Sequence, residues 1–258
     1  MIPREEWHLD TRRLGRRVLV YNALDSTNTQ AAALANDLGN DGLVILADCQ
    51  TAGRGQQGRK WFCTPGTGVL MSVLLFPPPA LRRPALLTAL AAVSVCETIG
   101  EVAGLESAIK WPNDVLSAGR KVCGILIEQG QGTVIGMGLN VRQTAVELAG
   151  LPQASSLLLL TGKWLSPSVV ARRLIERLDE GYHRLCSGDL ATLEKQWQDR
   201  LGLAGHMVVA EVHGGTCRGR LQELSWQAVQ LALPDGSTRR LLPEAIRHLS
   251  LDRSATPS

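Results

Sequence analysis

Gln50-Thr51-Ala52-Gly53-Arg54-Gly55-Gln56-Gln57-Gly58-Arg59-Lys60-Trp61 comes two residues after the apolar run Leu43-Val44-Ile45-Leu46-Ala47. A buried strand therefore delivers the chain into a flexible loop with three glycines, two arginines and a lysine. Glycines let backbone N–H groups approach an anion closely, and arginines supply charged donors in a fixed fork. Such a loop suits a phosphate, a carboxylate, or both while they react. Gly53-x-Gly55-x-x-Gly58 also spells the dinucleotide fingerprint, but that fold needs a helix directly after the glycines and an acid further on. Here Pro65, Gly66 and Gly68 forbid the helix, and Val69-Leu70-Met71-Ser72-Val73-Leu74-Leu75-Phe76 reads as a strand where the acid is required. A nicotinamide or flavin site is therefore disfavoured.

Outward from the loop, Arg17 to Ala23, Leu43 to Cys49 and Gly68 to Phe76 read as strands. Asp25-Ser26-Thr27-Asn28 supplies helix-capping residues before a helix over Ala31 to Leu38, and Ala85 to Ile99 reads as a long helix. Four strands follow: Ala108 to Trp111, Val115 to Leu116, Lys121 to Gln129 and Thr133 to Val141. After them come helices over Val169 to Leu185 and Leu190 to Trp197. This order does not alternate strand and helix. It predicts an α+β fold with a mixed, largely antiparallel sheet and helices on one face. From Gly205 on, short β-like runs separated by Gly214-Gly215 and Pro234-Asp235-Gly236 predict a small barrel. The expected division is 1–202 and 203–258.

The 258 residues carry a formal charge of +3, too mild to mark a nucleic-acid binder. Arg12, Arg13, Arg16 and Arg17 form a basic tract without interleaved aromatics and read as a solvated face. Six scattered cysteines form no C-x-x-C pair, and the five histidines cluster with neither them nor each other. The N-terminus lacks a signal-peptide core and no apolar run reads as a membrane span, so no membrane partner and a reducing, cytoplasmic setting are expected.

Three more clusters carry chemistry. Lys110-Trp111-Pro112-Asn113-Asp114 sets a lysine, an amide and a carboxylate around a proline. Asp114 could hold magnesium and Lys110 could meet a phosphate; a strand-end turn with surface charges explains them equally well. Lys121 opens Val122-Cys123-Gly124-Ile125-Leu126-Ile127-Glu128, where its stem can lie buried with its charge aimed at a pocket or simply at water. Ser26-Thr27-Asn28 can cap a helix or bind a compact polar head group, and Asn140 sits in the apolar Gly138-Leu139-Asn140-Val141. Together these describe a site for anionic ligands without a protein nucleophile, which favours chemistry by positioning and electrostatics.

The same motifs, in the same order, resemble those of the biotin–protein ligases, firmly over Val18 to Val141. The resemblance implies a fold related to class II aminoacyl-tRNA synthetases and lipoate ligases, with an SH3-like barrel at the C-terminus. It implies biotin and ATP as substrates with Mg2+. Biotinyl-5′-adenylate forms first, and biotin then passes to a lysine of the biotin carboxyl carrier protein of acetyl-CoA carboxylase. Lys121 and Arg54 are the implied catalytic residues. Ser26, Thr27, Asn28, Gln50, Gly53, Gly55, Gln56, Gly124 and Ile125 join them around biotin. Arg59, Trp61, Lys110, Asn113, Asp114 and Asn140 fall on the ATP side, with Trp61 stacked on or flanking adenine and Asp114 toward the metal. Two departures stand out: many relatives carry arginine where this chain has Gln56, and about 25 residues precede Ser26, too few for the winged-helix domain of repressor relatives. No DNA partner is therefore expected, while a homodimer stays open. A lipoate–protein ligase and a non-catalytic adenylate- or carrier-binding module are the competing readings.

Overall fold

The computed structural model describes residues 2–252. Eight strands form one sheet: β1 (Glu5–Trp7), β2 (Val18–Leu24), β3 (Val44–Gln50), β4 (Gly68–Leu75), β5 (Ser107–Lys110), β6 (Asp114–Ser117), β7 (Arg120–Gln129) and β8 (Thr133–Asn140). Their order is β1-β2-β3-β4-β8-β7-β6-β5. The β2–β3 pair is parallel and every other pair antiparallel. The crossover between the parallel strands contains α1 (Thr27–Ala33), as a parallel connection requires. This is the mixed, largely antiparallel α+β sheet that the element order predicts.

Strand alternation divides the sheet into two environments. On β4 and β8, Val69, Met71, Val73, Leu75, Ile135, Met137 and Leu139 point into the main core. There they meet α2 (Pro84–Ala103), α4 (Pro167–Cys186) and α5 (Leu190–Leu201); the short α3 (Leu157–Thr161) lies beside α2. On the opposite face Leu19, Tyr21, Ile45, Ala47, Leu74 and Val134 pack with Ala31 and Ala35, so α1 and the residues after it cover only that end of the sheet. The long helices thus share one face, as expected, and α1 alone lies on the other. Further along that second face β8 presents Gly136 and Gly138 instead of large side chains, and a cavity opens there. One expectation is corrected: α2 is long and apolar enough to cross a bilayer by length and composition. The apolar run Ala85 to Ile99 falls short of that length, and the helix gains Pro84 at its start and residues 100–103 at its end. Most of it is buried in the fold, as in a core helix.

A second sheet follows α5, whose last turn ends at Gly202 in the left-handed region (φ 62). It comprises β9 (Met207–Val212), β10 (Gly215–Leu224), β11 (Val229–Ala232), β12 (Thr238–Leu241) and β13 (Ile246–Leu251), ordered β12-β11-β10-β9-β13 and antiparallel throughout. Three tryptophans link the sheets. Trp111 packs on Trp197 with centroids 5.8 Å apart, Trp197 on Trp226 at 5.9 Å, and the Trp111 indole Nε1 donates to the carbonyl of Ile246 at 3.0 Å.

Candidate active site

The cavity encloses about 730 Å3 and lies between α1, the glycine-arginine loop, β6–β8 and the segment Gly150 to Ala154. Of the residues singled out in the sequence, only Gly53 does not line it. Gly53 lies behind the wall, buried, where its carbonyl accepts from the Trp61 N–H at 3.0 Å. Arg54 then bridges to Lys60, and the Gly55 N–H donates to the Arg59 carbonyl at 2.7 Å. The loop is therefore a small hairpin flap. Its turn is made by Gln57 (φ 58) and Gly58 (φ 73), both left-handed.

At one end of the cavity the groups are small, neutral and buried. Ser26 has the extended backbone of an N-cap but makes no side-chain cap bond, so its hydroxyl remains available to the cavity. Gln50 Oε1 accepts from Thr27 N (2.7 Å) and Thr27 Oγ1 (2.9 Å). Ser72 Oγ on β4 lies 2.7 Å from Thr27 Oγ1 and 2.6 Å from Asn28 Oδ1. The Trp61 indole lies against the floor. A Cβ at Gly138 would clash with the indole at 2.3 Å from Cε2, and one at Gly124 would meet Cζ3 at 2.9 Å. The indole N–H is buried without a protein partner among the described residues, a donor that a ligand acceptor can satisfy. Trp61 thus occupies the glycine floor, on the side the resemblance gives to biotin.

Charge gathers in the rest of the cavity. Arg54, Arg59, Lys60, Lys110, Arg120 and Lys121 line it together with the carboxylate of Asp114, and Glu128 pairs with Arg54 from behind. Lys121 Nζ sits 2.6 Å from Asp114 Oδ1 and 5.5 Å from the Trp61 ring centroid. This excess of cations over carboxylates favours a multiply charged anion. No group of three or more histidine, cysteine or acidic side chains suited to a metal occurs among the described residues. A magnesium ion here therefore fits as one carried in on substrate phosphates, with Asp114 its one carboxylate.

The two asparagines line the cavity and also tie its frame together. Asn113 Nδ2 donates to the Ile125 carbonyl (2.6 Å) while its own carbonyl accepts from Ile125 N (3.0 Å), locking the turn onto β7. Asn140 Nδ2 donates to Ser155 O (2.9 Å), bracing the far wall. Arg120 braces it too, through Pro152 O at 2.8 Å and Ala154 O at 3.3 Å. Sequence reasoning missed Arg120, Ser72, Gly136, Glu128 and the 150–154 wall. Only Glu128 had a readable signal: period-two alternation from Gly124 puts it on the cavity face of β7. No nucleophile is apparent. Burial pushes the thiol of Cys96 up to about 12 and that of Cys123, directly after Lys121-Val122, up as well.

Comparison with known proteins accords with this geometry. The model of the biotin/lipoate A/B protein ligase family matches residues 20–140. The bifunctional ligase/repressor BirA of Bacillus subtilis (strain 168) is 33% identical over 215 residues, covering 80% of this chain and 66% of that protein. The biotin–[acetyl-CoA-carboxylase] ligase of Paracoccus denitrificans is 29% identical over 233 residues, covering 86% of this chain and 95% of that one. The chain thus spans just under two thirds of the Bacillus relative and nearly all of the Paracoccus one. A solved biotin protein ligase from Aquifex aeolicus, in complex with biotin and ATP, matches with a TM-score of 0.79 and 26% identity over 91% of this chain and 99% of that chain. Motifs, sheet order and relatives agree: the chain belongs to the biotin/lipoate protein ligase family.

Proposed function

We propose that the protein is a biotin–protein ligase. It joins biotin and ATP into biotinyl-5′-adenylate with release of pyrophosphate, then transfers biotin to a carrier lysine with release of AMP. The observation that carries this reading is the cavity's division: a small buried polar end opens directly into a six-cation chamber. A neutral ureido ring suits Ser26, Thr27 and Gln50, and a triphosphate suits the cations. Between them Arg54 and Lys121 stand where a carboxylate must approach an α-phosphate, and they offset the repulsion of the two anions. Leu116 and Leu151 give adenine an apolar surface. Asp114 is the carboxylate that would hold a magnesium ion bound with the triphosphate, and the ion would there help neutralise the phosphate charge.

The acceptor is the carboxyl carrier protein of an acetyl-CoA carboxylase, in keeping with the name of the Paracoccus relative. The chain works as two units, 1–202 and an SH3-like 203–258, the break falling at the Gly202 cap. The six free thiols suit a reducing cytoplasm.

The test is ATP–pyrophosphate exchange with biotin, with lipoate and with neither. Exchange that requires biotin is expected. Exchange with lipoate instead moves the chain to the sister activity, and none with either acid makes it a binding module. A second expectation concerns Gln56, which lines the cavity from the flap turn. A glutamine donates hydrogen bonds but cannot offset an acyl phosphate's charge. Gln56→Arg should slow adenylate dissociation about tenfold, one charge-assisted hydrogen bond's worth. Release of radiolabelled adenylate measures it, and an unchanged rate removes the idea.

A further inference from the structure

We infer that Glu128 is a positioning residue for Arg54, acting on the adenylation step. The inference rests on the biotin-ligase reading. Arg54 sits on the flap. Its Nη2 donates to both carboxylate oxygens of Glu128, at 3.1 and 3.0 Å, and its Nη1 to Thr29 Oγ1 on α1 at 2.9 Å. The Nε–H makes no hydrogen bond to protein among the described residues and is left for a ligand oxygen.

An ion pair as exposed as this one ordinarily fixes little, because both side chains wander. Here the carboxylate is pinned. Glu128 Oε2 also accepts from Asn28 Nδ2 at 2.7 Å, and Asn28 is only 4% exposed. Asn28 is held in turn by the fully buried Ser72 at 2.6 Å. A chain of contacts therefore runs from the buried β4 through α1 and β7 to the flap guanidinium. It fixes the plane of the fork, and with it the direction of the free Nε–H. Orientation of this kind acts on the reacting geometry more than on substrate affinity.

Glu128→Gln separates the roles. It preserves shape and the acceptor for Asn28 but removes the charge that holds Arg54. In biotin-dependent ATP–pyrophosphate exchange with the full chain, kcat should fall about tenfold, as expected for a lost orienting contact. KM for ATP and the melting midpoint should stay as in the wild type. In an Arg54→Lys background the same change should lower kcat no further, since it acts through Arg54. If Glu128→Gln lowers the melting midpoint, Glu128→Asp replaces it and should give an intermediate kcat. Unchanged or faster exchange, or an effect that adds fully to Arg54→Lys, overturns the inference. Absence of biotin-dependent exchange in the wild type instead defeats the ligase reading itself.

Discussion

Lys121→Ala should lower the rate of adenylate formation about a hundredfold, the equivalent of roughly 3 kcal/mol of lost transition-state stabilisation. The electrostatics give the size. A carboxylate attacking an α-phosphate brings two negative groups to bonding distance. Unit charges 4 Å apart repel by about 4 kcal/mol at the effective dielectric of a partly open protein site. Lys121 points into that space from β7 with its side chain 30% exposed, and its ion-pair partner is Asp114 at 2.6 Å. Removing the lysine takes a partner from the developing charge. Lys121→Arg, which keeps the charge but not the shape of the head group, should recover part of the rate. Single-turnover formation of biotinyl adenylate measures both. A Lys121→Ala rate within threefold of the wild type would show that Arg54 suffices without it.

The residues of this site could be read because each has an uncommon type at an uncommon spacing. Gly53, Arg54, Gly55 and Gly58 announce a close approach to an anion before any fold is known. What they do not announce is which way they face. Gly53 looks like the loop's other glycines in the sequence, yet it lies behind the wall, because pairing of Gly53 with Trp61 decides the inside of the flap. Asn113 and Asn140 look like ligand groups in the sequence, and what it does not show is that they also brace the frame, because a backbone carbonyl of Ile125 or Ser155 lies within reach only after β7 and β8 have paired. The sheet itself was legible where alternation is strong, as in β4 and β8. The short, charged β1 and the late β13 were not; three residues such as Glu5-Glu6-Trp7 have no period, and their strand character comes from pairing with β2. Likewise α1 starts at Thr27 and ends at Ala33, earlier at both ends than its alanines suggest. Its start is fixed by Ser26 leaving β2 in an extended conformation. Local chemistry was visible in the chain, and long-range partners were not.

Trp111→Ala should cost about 3–5 kcal/mol of stability, the range for emptying a buried aromatic site. It should also weaken ATP use in the fraction that folds. Trp111 belongs to the Lys110–Asp114 turn but does not itself enter the main cavity. Its indole is 5% exposed, stacks on Trp197, and donates across the sheet boundary to Ile246 O at 3.0 Å. The ring therefore anchors the turn that carries Lys110, Asn113 and Asp114 against β13 of the second sheet. Emptying it removes one side of the Trp197 packing and leaves the Ile246 carbonyl without its donor. Trp111→Phe retains most of the packing and loses only the N–H, so it should cost about 1–2 kcal/mol, the value of one buried carbonyl left unpaired. Urea unfolding gives both numbers, and exchange kinetics on the folded fraction give the second effect. KM for ATP should rise in both variants in the order of their destabilisation, with KM for biotin unchanged, because Ser26, Thr27 and Gln50 hang on β2, α1 and β3 at the other end of the sheet. If both KM values rise together, Trp111 supports the whole fold and not the turn; if neither moves, the second sheet has no grip on the nucleotide side through this ring.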